Sequence, residues 1–392
     1  MILGLLFLGL QTFLAFFKPK YFVFTYILFI SSYLGFLPRD ILLGGNEIGL
    51  FYHSILMLAT FILYNGRIKN LPKHFKIMLW GTLLLYMYGV VYPVINGSSS
   101  LMQSTIASKE FSSIFFIHFL FVNRNALSIE LIHKNLSFFG YYFLIILSLF
   151  VFFNYIPPHY IKGPGQIQYN YPAILSLFLF IKALQAKSLK SKLFVFFLIL
   201  VWTVGMYFEG HTAIMLTTSI GTTIVLFRIP LIKFTKNFKR LLVGVLLLTI
   251  ILSLLPIEKY LIELKETSSF KARAVYNVER LELISKKPLQ GYGFLHSSAT
   301  ELGDHIYTES LSFVDSGYID LLGKFGIVGM MYFLIILTIP FFKNENNLLT
   351  IKSLKIFFIQ YFFVNITWSV FSFSIGLIAL ALGIFLLSLS SK

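Results

Sequence analysis

The sequence predicts an all-α, polytopic integral membrane helix bundle with about 12–13 transmembrane helices and a helical extracytoplasmic loop. Apolar residues make up 57% of its 392 residues and charged residues only 12%, whereas soluble domains carry about 25% charged residues. The chain therefore has too few polar side chains to cover a surface that faces water. Its apolar residues also recur in runs close to the roughly 20 residues that one helix needs to cross a bilayer.

Thirteen apolar runs are predicted as membrane spans. The first run has no basic residue before it, and the first positive charge, Lys18, follows it. It is therefore interpreted as a retained helix and not as a signal peptide. In chain order the predicted spans are 2–17, 21–37, 48–64, 77–95, 108–123, 137–156, 171–186, 193–208, 211–228, 241–256, 317–341, 354–370 and 373–390.

Basic residues between the runs predict the orientation of the chain. With the N-terminus outside, most of the 32 Lys and Arg residues fall in loops on the cytoplasmic side, as the positive-inside rule requires. Only Glu130 and Glu345 of the 16 acidic residues fall there. The N-terminus is therefore predicted to lie outside and the C-terminus in the cytoplasm. The predicted parts are a bundle of about ten helices, a large extracytoplasmic loop and C-terminal transmembrane helices, at 1–256, 257–316 and 317–392.

Composition also excludes several kinds of function. The net charge of +16 does not indicate nucleic-acid binding, because the basic residues lie in short clusters between apolar runs and not on one face of a domain. The chain has no cysteine, which excludes thiolate catalysis and Cys-ligated metals. Ionisable residues inside the spans, the mark of an ion-coupled transporter, are nearly absent. The exceptions, His53 and His118, are interpreted as histidines hydrogen-bonded between helices.

The loop 257–316 is predicted to carry the chemistry of the protein, because more than half of the 16 acidic residues lie in it. Arg273 and Arg280 are seven residues apart, which places them two turns apart on one helix face, roughly 10 Å along the axis. Two guanidinium groups so arranged can bind the oxygens of a phosphate or pyrophosphate. The alternative is a solvated basic face that pairs with Glu279 and Glu282.

Further along the loop, a dense set of proton-accepting side chains precedes the eleventh span. A general base is the favoured role for one of them, because deprotonating a hydroxyl acceptor needs a carboxylate or imidazole near the reacting atom. Asp315 lies at the helix entrance, on one stripe with Tyr318, and its alternative role is an N-cap. Metal binding by His296, Asp304 and His305 matches no familiar ligand spacing, so no metal is predicted. The full set is His296, Glu301, Asp304, His305, Glu309 and Asp315.

Together these residues resemble the O-antigen polymerase and O-antigen ligase superfamily of bacterial polysaccharide assembly. The family pattern is an arginine, then a Pro-Leu-x-Gly-x-Gly turn, a polar helix entrance with Tyr-Leu, and Gly-Ile-x-Gly within that helix. Here Arg273 begins RAVYNVERLELISKKPLQGYGF, and DSGYIDLLGKFGIVG follows at 315–329. The family often has Ser-Arg-Thr-Ala in an earlier helix; here the segment reads Glu209-Gly-His211-Thr-Ala, so His211 replaces an arginine.

The resemblance implies a metal-independent glycosyltransferase, without a cofactor, on the outer face of the bacterial cytoplasmic (inner) membrane. It would polymerise undecaprenyl-pyrophosphate-linked repeat units into O-antigen, capsule or exopolysaccharide. The predicted catalytic residues are Asp315 or His305 as the base, with Arg273 stabilising the pyrophosphate leaving group. The predicted substrate-binding residues are Arg273, Arg280, His211, Gly291, Gly293 and Tyr318.

Two alternative functions stay open. One is a ligase that transfers finished polysaccharide to an acceptor, although the ligase branch usually has a histidine where this chain has Asp315. The other is a flippase or transporter for the same lipid-linked sugars, or a scaffold in their assembly complex. The expected partners are the undecaprenyl-pyrophosphate-linked oligosaccharide and the lipid bilayer, with a chain-length regulator and a flippase of the same pathway; nucleic acid is not among them.

Overall fold

A computed structural model shows that the described part of the chain is predominantly helical. Two short antiparallel hairpins are the only strands among the described residues, β1 (Leu42–Leu43) with β2 (Asn46–Glu47), and β3 (Ile161–Gly163) with β4 (Gln166–Ile167). The structure describes residues 2–30, 42–43, 46–47, 49–153, 161–163, 166–167, 172–208, 212–227, 280–296, 299, 316–342, 348–367 and 374–389.

Most of the predicted spans coincide with helices, and the predicted span 241–256 lies outside the described residues. Short 3₁₀ turns occur at Asn65–Ile68, Phe111–Ile114 and Ile339–Phe342. The helices are α1 (Ile2–Phe17), α2 (Pro19–Ile30), α3 (Gly49–Leu63), α4 (Lys73–Ile95), α5 (Leu101–Ala107), α6 (Phe115–Val122), α7 (Ile129–Phe153), α8 (Pro172–Gln185), α9 (Leu189–Phe208), α10 (Thr212–Leu226), α11 (280–286), α12 (Gly317–Thr338), α13 (Leu348–Thr367) and α14 (Ser374–Leu389).

Three helical segments in the described residues are long and apolar enough to cross a membrane: Lys73–Ile95, Ile129–Leu149 and Gly317–Phe341. A fourth candidate is a broken pair, α5 followed by Phe111–Val122, whose axes differ by 66°. Shorter apolar helical segments of 10–17 residues occur in α1, α2, α3, α8, α10, α13 and α14. The all-helical class is thus confirmed for the described residues, and long apolar helices indicate a membrane protein.

The predicted span 108–123 differs from the structure, which has a sharp bend at its beginning. Helix α5 starts at a capping box: the Ser100 hydroxyl accepts from the Gln103 N–H, and the Gln103 side chain accepts from the Ser100 N–H. The helix ends before Lys109 and Glu110. The Ser108 and Ser112 hydroxyls bond to backbone carbonyls three residues earlier, and such local bonds compete with regular helix geometry.

The centre of the bundle is formed by helices that are apolar on every face. All eight residues of α6, FFIHFLFV, are buried, and α6 packs against α3 and α14. A helix without a polar face must be surrounded by other apolar groups. His118 in α6 is buried, and its Nε2 lies 2.8 Å from the Leu79 carbonyl of α4, which confirms a histidine bonded between helices. His53 differs, because its Nδ1 bonds to Gly49 of its own helix.

Helix α12 lies between α4 and α13. The α4–α12 contact is close because Gly81 leaves room for the Tyr332 ring; a Cβ at Gly81 would lie 2.6 Å from it. The Tyr332 hydroxyl is also 2.8 Å from that of Thr82. On its other side α12 is joined to α13 by the Tyr318 hydroxyl, which donates to the Phe362 carbonyl. These contacts fix α12, which carries the second part of the sequence motif.

Candidate functional site

Helix α12 is interrupted at Gly326, whose φ of 62° and ψ of −166° are not helical. In a continuous helix the Ile327 N–H would bond to the Gly323 carbonyl, and the Val328 N–H to the Lys324 carbonyl. The interruption removes both bonds and frees two donors and two acceptors. Backbone groups left buried without partners cost roughly 1–3 kcal/mol each, so other groups must replace the missing bonds.

The segment 288–294, PLQGYGF, which we name the strap, supplies acceptors for the two freed donors. The Ile327 N–H donates to the Pro288 carbonyl at 2.8 Å, and the Val328 N–H donates to the Leu289 carbonyl at 3.4 Å. The beginning of the strap therefore takes the place that the preceding helical turn would occupy.

The strap also supplies donors for the two freed acceptors. The Tyr292 N–H donates to the Gly323 carbonyl at 2.8 Å, and the Gly293 N–H donates to the Lys324 carbonyl at 2.7 Å. All four groups released by the interruption are thus paired with the strap. The two segments that carry the resemblance, separate in the sequence, are joined by a reciprocal set of backbone hydrogen bonds.

Helix α4 presents a fifth freed group to the strap. Pro93 lies inside α4 and has no N–H, so the Gly89 carbonyl four residues earlier has no partner within the helix. The Phe294 N–H donates to this carbonyl at 2.7 Å. In addition, the Tyr88 hydroxyl donates to the Gln290 carbonyl at 2.8 Å. The strap therefore fills defects in two apolar helices at once.

Close backbone approach explains the glycines of the motif. Gly291 has φ +67°, and a Cβ there would lie 2.6 Å from the Gly326 N. Gly293 has φ +73°, and its Cβ would lie 2.6 Å from the Gly89 oxygen. Side chains other than hydrogen fit neither the space nor the positive φ. The Gly291 N–H donates to the Lys287 carbonyl at 2.9 Å, so both glycine amides are bonded within the protein, and substrate binding at these positions stays a prediction.

An aromatic cluster holds the end of the strap in the bundle. The Phe294 ring lies 5.3 Å from Phe111 and 5.4 Å from Phe325, measured between ring centroids, and Tyr86 lies 5.7 Å away. Phe111 belongs to the bend that precedes α6, so the cluster connects the strap, α4, α12 and the broken helix. Buried aromatic pairs at these distances stabilise such a junction beyond the area they bury.

Arg280 is the predicted phosphate-binding residue that the structure describes. It is partly exposed and is the first residue of α11 that the structure describes. The Tyr292 hydroxyl donates to the Leu283 carbonyl at 2.9 Å, which fixes α11 to the strap. Arg280 is therefore held a short distance before the strap by a helix that is itself anchored to the bundle.

Tyr318 is partly buried, and its hydroxyl is bonded to α13 as described above. Its predicted contact with substrate stays a prediction. The N-cap position of α12 is occupied by Ser316 and not by Asp315, so the alternative N-cap role of Asp315 is wrong. The physical reason is that helical backbone geometry begins at Gly317, the first residue of the predicted span 317–341, and this makes Ser316 the N-cap residue.

Four of the predicted site residues lie outside the described residues: Arg273, His305, Asp315 and His211. Their roles stay predictions. Of the three residues weighed as metal ligands, His296 alone is described. Within the described ranges, no three His, Asp or Glu side chains are grouped so that they could hold a metal ion.

Sequence reasoning missed one charged pair near the strap. Asp320 and Lys324 lie one turn apart in α12, and their Oδ2 and Nζ atoms are 2.7 Å apart. The Asp320 side chain is only 2% exposed and that of Lys324 16%. A buried carboxylate in a helix apolar enough to span a membrane is costly, and the partly buried ammonium group of Lys324 offsets that cost. The available signal was an acid followed by a base four residues later, inside an apolar run.

No protein-family model matches the sequence, and no curated protein matches it. The chemical argument therefore depends on the chain's own residues: a cationic helix, a strap rich in glycine and a helix interrupted where the strap contacts it. Such an arrangement can fix charged side chains at one end of a helix bundle without a metal ion.

Proposed function

We propose that this chain is a membrane glycosyltransferase that polymerises undecaprenyl-pyrophosphate-linked repeat units into O-antigen, capsule or exopolysaccharide. The observation that supports the proposal is the contact between the strap and interrupted α12. These are the two segments on which the sequence resemblance rests, and each satisfies backbone groups that the other leaves free. Two patterns that occur by chance in an apolar sequence would not be expected to complete each other's backbone hydrogen bonds.

The proposed topology is a polytopic helix bundle in the bacterial cytoplasmic membrane, with the N-terminus outside and the C-terminus in the cytoplasm. It is supported by the apolar helices and by the basic residues before α4, Arg67, Lys69, Lys73 and Lys76. Because α4 begins at this basic loop, its C-terminal end faces outward under the positive-inside rule. The strap contacts that end through Gly89, so the proposed site faces the outside.

The proposed reaction is a transfer between two lipid-linked saccharides. The acceptor hydroxyl oxygen attacks the anomeric carbon of the donor, and the bond from that carbon to the pyrophosphate oxygen breaks. The pyrophosphate lipid leaves with the electron pair, stabilised by Arg273 and Arg280. The hydroxyl proton passes to Asp315 or His305 as general base. His211, Gly291, Gly293 and Tyr318 complete the proposed substrate-binding set.

A second candidate function is transport of the same lipid-linked sugars. The Asp320–Lys324 pair favours it, because transporters use ionisable groups buried among membrane helices. The polymerase is preferred because the pair lies in the first turns of α12, within the motif at 315–329 and not in the middle of the helix. A ligase, the other alternative, would leave long carrier-linked polymer when its gene is deleted, whereas loss of a polymerase leaves single repeat units.

The test is an Arg273→Ala variant of the full chain in the native host. We expect the ladder of surface polysaccharide on a gel to collapse to single repeat units, because the leaving group loses a cation. Lys271→Ala is the matched control, since it removes one positive charge from the same loop at a position that helical periodicity predicts to lie off the Arg273 face. Membrane levels of each variant are measured by immunoblot. An unchanged ladder in Arg273→Ala would refute the proposed role.

A further inference from the structure

Lys287 connects α11 to the strap and has a fixed backbone. Its N–H donates to the Ile284 carbonyl at 3.0 Å, and its carbonyl accepts from the Gly291 N–H at 2.9 Å. Gly291 in turn packs closely against α12, which is possible because it has no side chain. The position of Lys287 is therefore set by the same contacts that dock the strap, so its side chain starts from a fixed point.

The ammonium group of Lys287 lies between two tyrosine rings. Its Nζ is 4.8 Å from the ring centroid of Tyr292 and 5.8 Å from that of Tyr92. Tyr92 is stacked on Tyr88, with centroids 5.0 Å apart. Lys287 makes no ion pair with a carboxylate among the described residues. Aromatic faces attract a cation without neutralising it, so the side chain is held in place while its charge stays available to an anion.

In the proposed topology, Lys287 lies at the membrane depth at which lipid phosphates are found. Tyr88 and Tyr92 lie in the last two turns of α4, the end that faces outward in the proposed topology. Tyrosines concentrate at the level of the lipid headgroups, which is where the phosphate of a lipid-anchored substrate lies. Among Arg280, Lys286 and Lys287, only Lys287 has a described contact with these rings.

We propose that Lys287, held by Tyr92 and Tyr292, binds a phosphate of the polyprenyl-pyrophosphate donor. The inference rests on the proposed function, because that function supplies the pyrophosphate lipid. If Lys287 only extended its ammonium group toward water, its replacement would have no more effect on binding than replacement of its neighbour Lys286, which is exposed. The two lysines therefore form a matched pair for a test.

The experiment measures binding of undecaprenyl pyrophosphate to the full chain in phosphatidylcholine nanodiscs. We expect Lys287→Gln to weaken binding about tenfold, as loss of one charge-assisted hydrogen bond would. Lys287→Arg, which keeps the charge, should bind within about threefold of the unchanged protein, and Lys286→Gln should bind equally well. Equal thermal unfolding temperatures for these variants show that the strap stays docked.

Other outcomes overturn the inference. Normal binding by Lys287→Gln, or equal weakening in Lys286→Gln, would mean that Lys287 has no specific contact. Inorganic pyrophosphate and phosphatidylglycerol serve as competitors, and equal competition by either would exclude a lipid-linked pyrophosphate as the preferred ligand. The polysaccharide ladder of Arg273→Ala is scored separately. If the Arg273→Ala ladder collapses but Lys287→Gln binds normally, only the inference about Lys287 is refuted. If the ladder is unchanged but Lys287→Gln binds more weakly, the proposed polymerase function is refuted and a binding site for a pyrophosphate lipid remains.

Discussion

At the scale of single residues, glycine matters where two backbones meet. Gly326 has a positive φ, and a Cβ there would overlap the Leu289 carbonyl oxygen. Gly291 lies opposite, against the Gly326 nitrogen. A Cβ at either position would overlap the backbone of the other segment, so the first role of both glycines is to let the strap and α12 touch. A family pattern of glycines can thus mark an architectural contact that supports a site.

Gly326→Ala is expected to destabilise the protein by at least about 2 kcal/mol, because alanine must accept both the positive φ and the overlap with Leu289. Thermal unfolding of the purified protein in detergent measures the change. Gly66→Ala is the control, since a Cβ at Gly66 meets nothing within 4 Å and its φ is not positive. Equal unfolding temperatures for the two variants would contradict the strained contact.

At the scale of elements, a proline in one helix and a break in another make a docking place for a loop. Pro93 frees the Gly89 carbonyl of α4, and the interruption at Gly326 frees four groups of α12. Each defect would cost free energy alone. The strap pairs with all of these groups, so the irregular parts of three elements are compatible only when they are assembled.

Pro93→Ala is expected to loosen the strap. Alanine supplies an N–H that can bond to Gly89 within α4 and so competes with the Phe294 N–H. Hydrogen exchange followed by mass spectrometry should show at least about threefold faster exchange in peptides that cover 288–296. Pro19→Ala is the control, because Pro19 is the first residue of α2 and its N–H would have no helical partner in any case. Unchanged exchange in Pro93→Ala would show that the Gly89 bond does not hold the strap.

At the scale of the whole molecule, the orientation can be tested directly because the chain has no cysteine. Asn96→Cys follows α4, and Lys190→Cys lies near the beginning of α9; both positions are exposed. A membrane-impermeant maleimide applied to intact cells should label Asn96→Cys, whereas Lys190→Cys should react only after permeabilisation. The reverse pattern would invert the proposed topology and place the strap on the cytoplasmic side.

Much of the architecture follows from local sequence. The helical class and the positions of most helices follow from apolar runs, because burial of apolar side chains and helix formation act over neighbouring residues. The motif around the strap was likewise visible in the order of Pro288, Gly291 and Gly293. The i,i+4 spacing of Asp320 and Lys324 is also present in the sequence, but spacing alone does not reveal that the Asp320 side chain is buried.

The sequence by itself determined that the chain forms apolar helices with a polar loop before α12, since composition and periodicity are local properties. Tertiary structure alone decided that α12 breaks at Gly326, because GKFGIVG is equally compatible with an unbroken helix. It also decided that the strap fills the break and the Gly89 defect. The physical reason is that a freed backbone group takes its partner from whichever segment packs beside it, and that neighbour comes from a distant part of the chain.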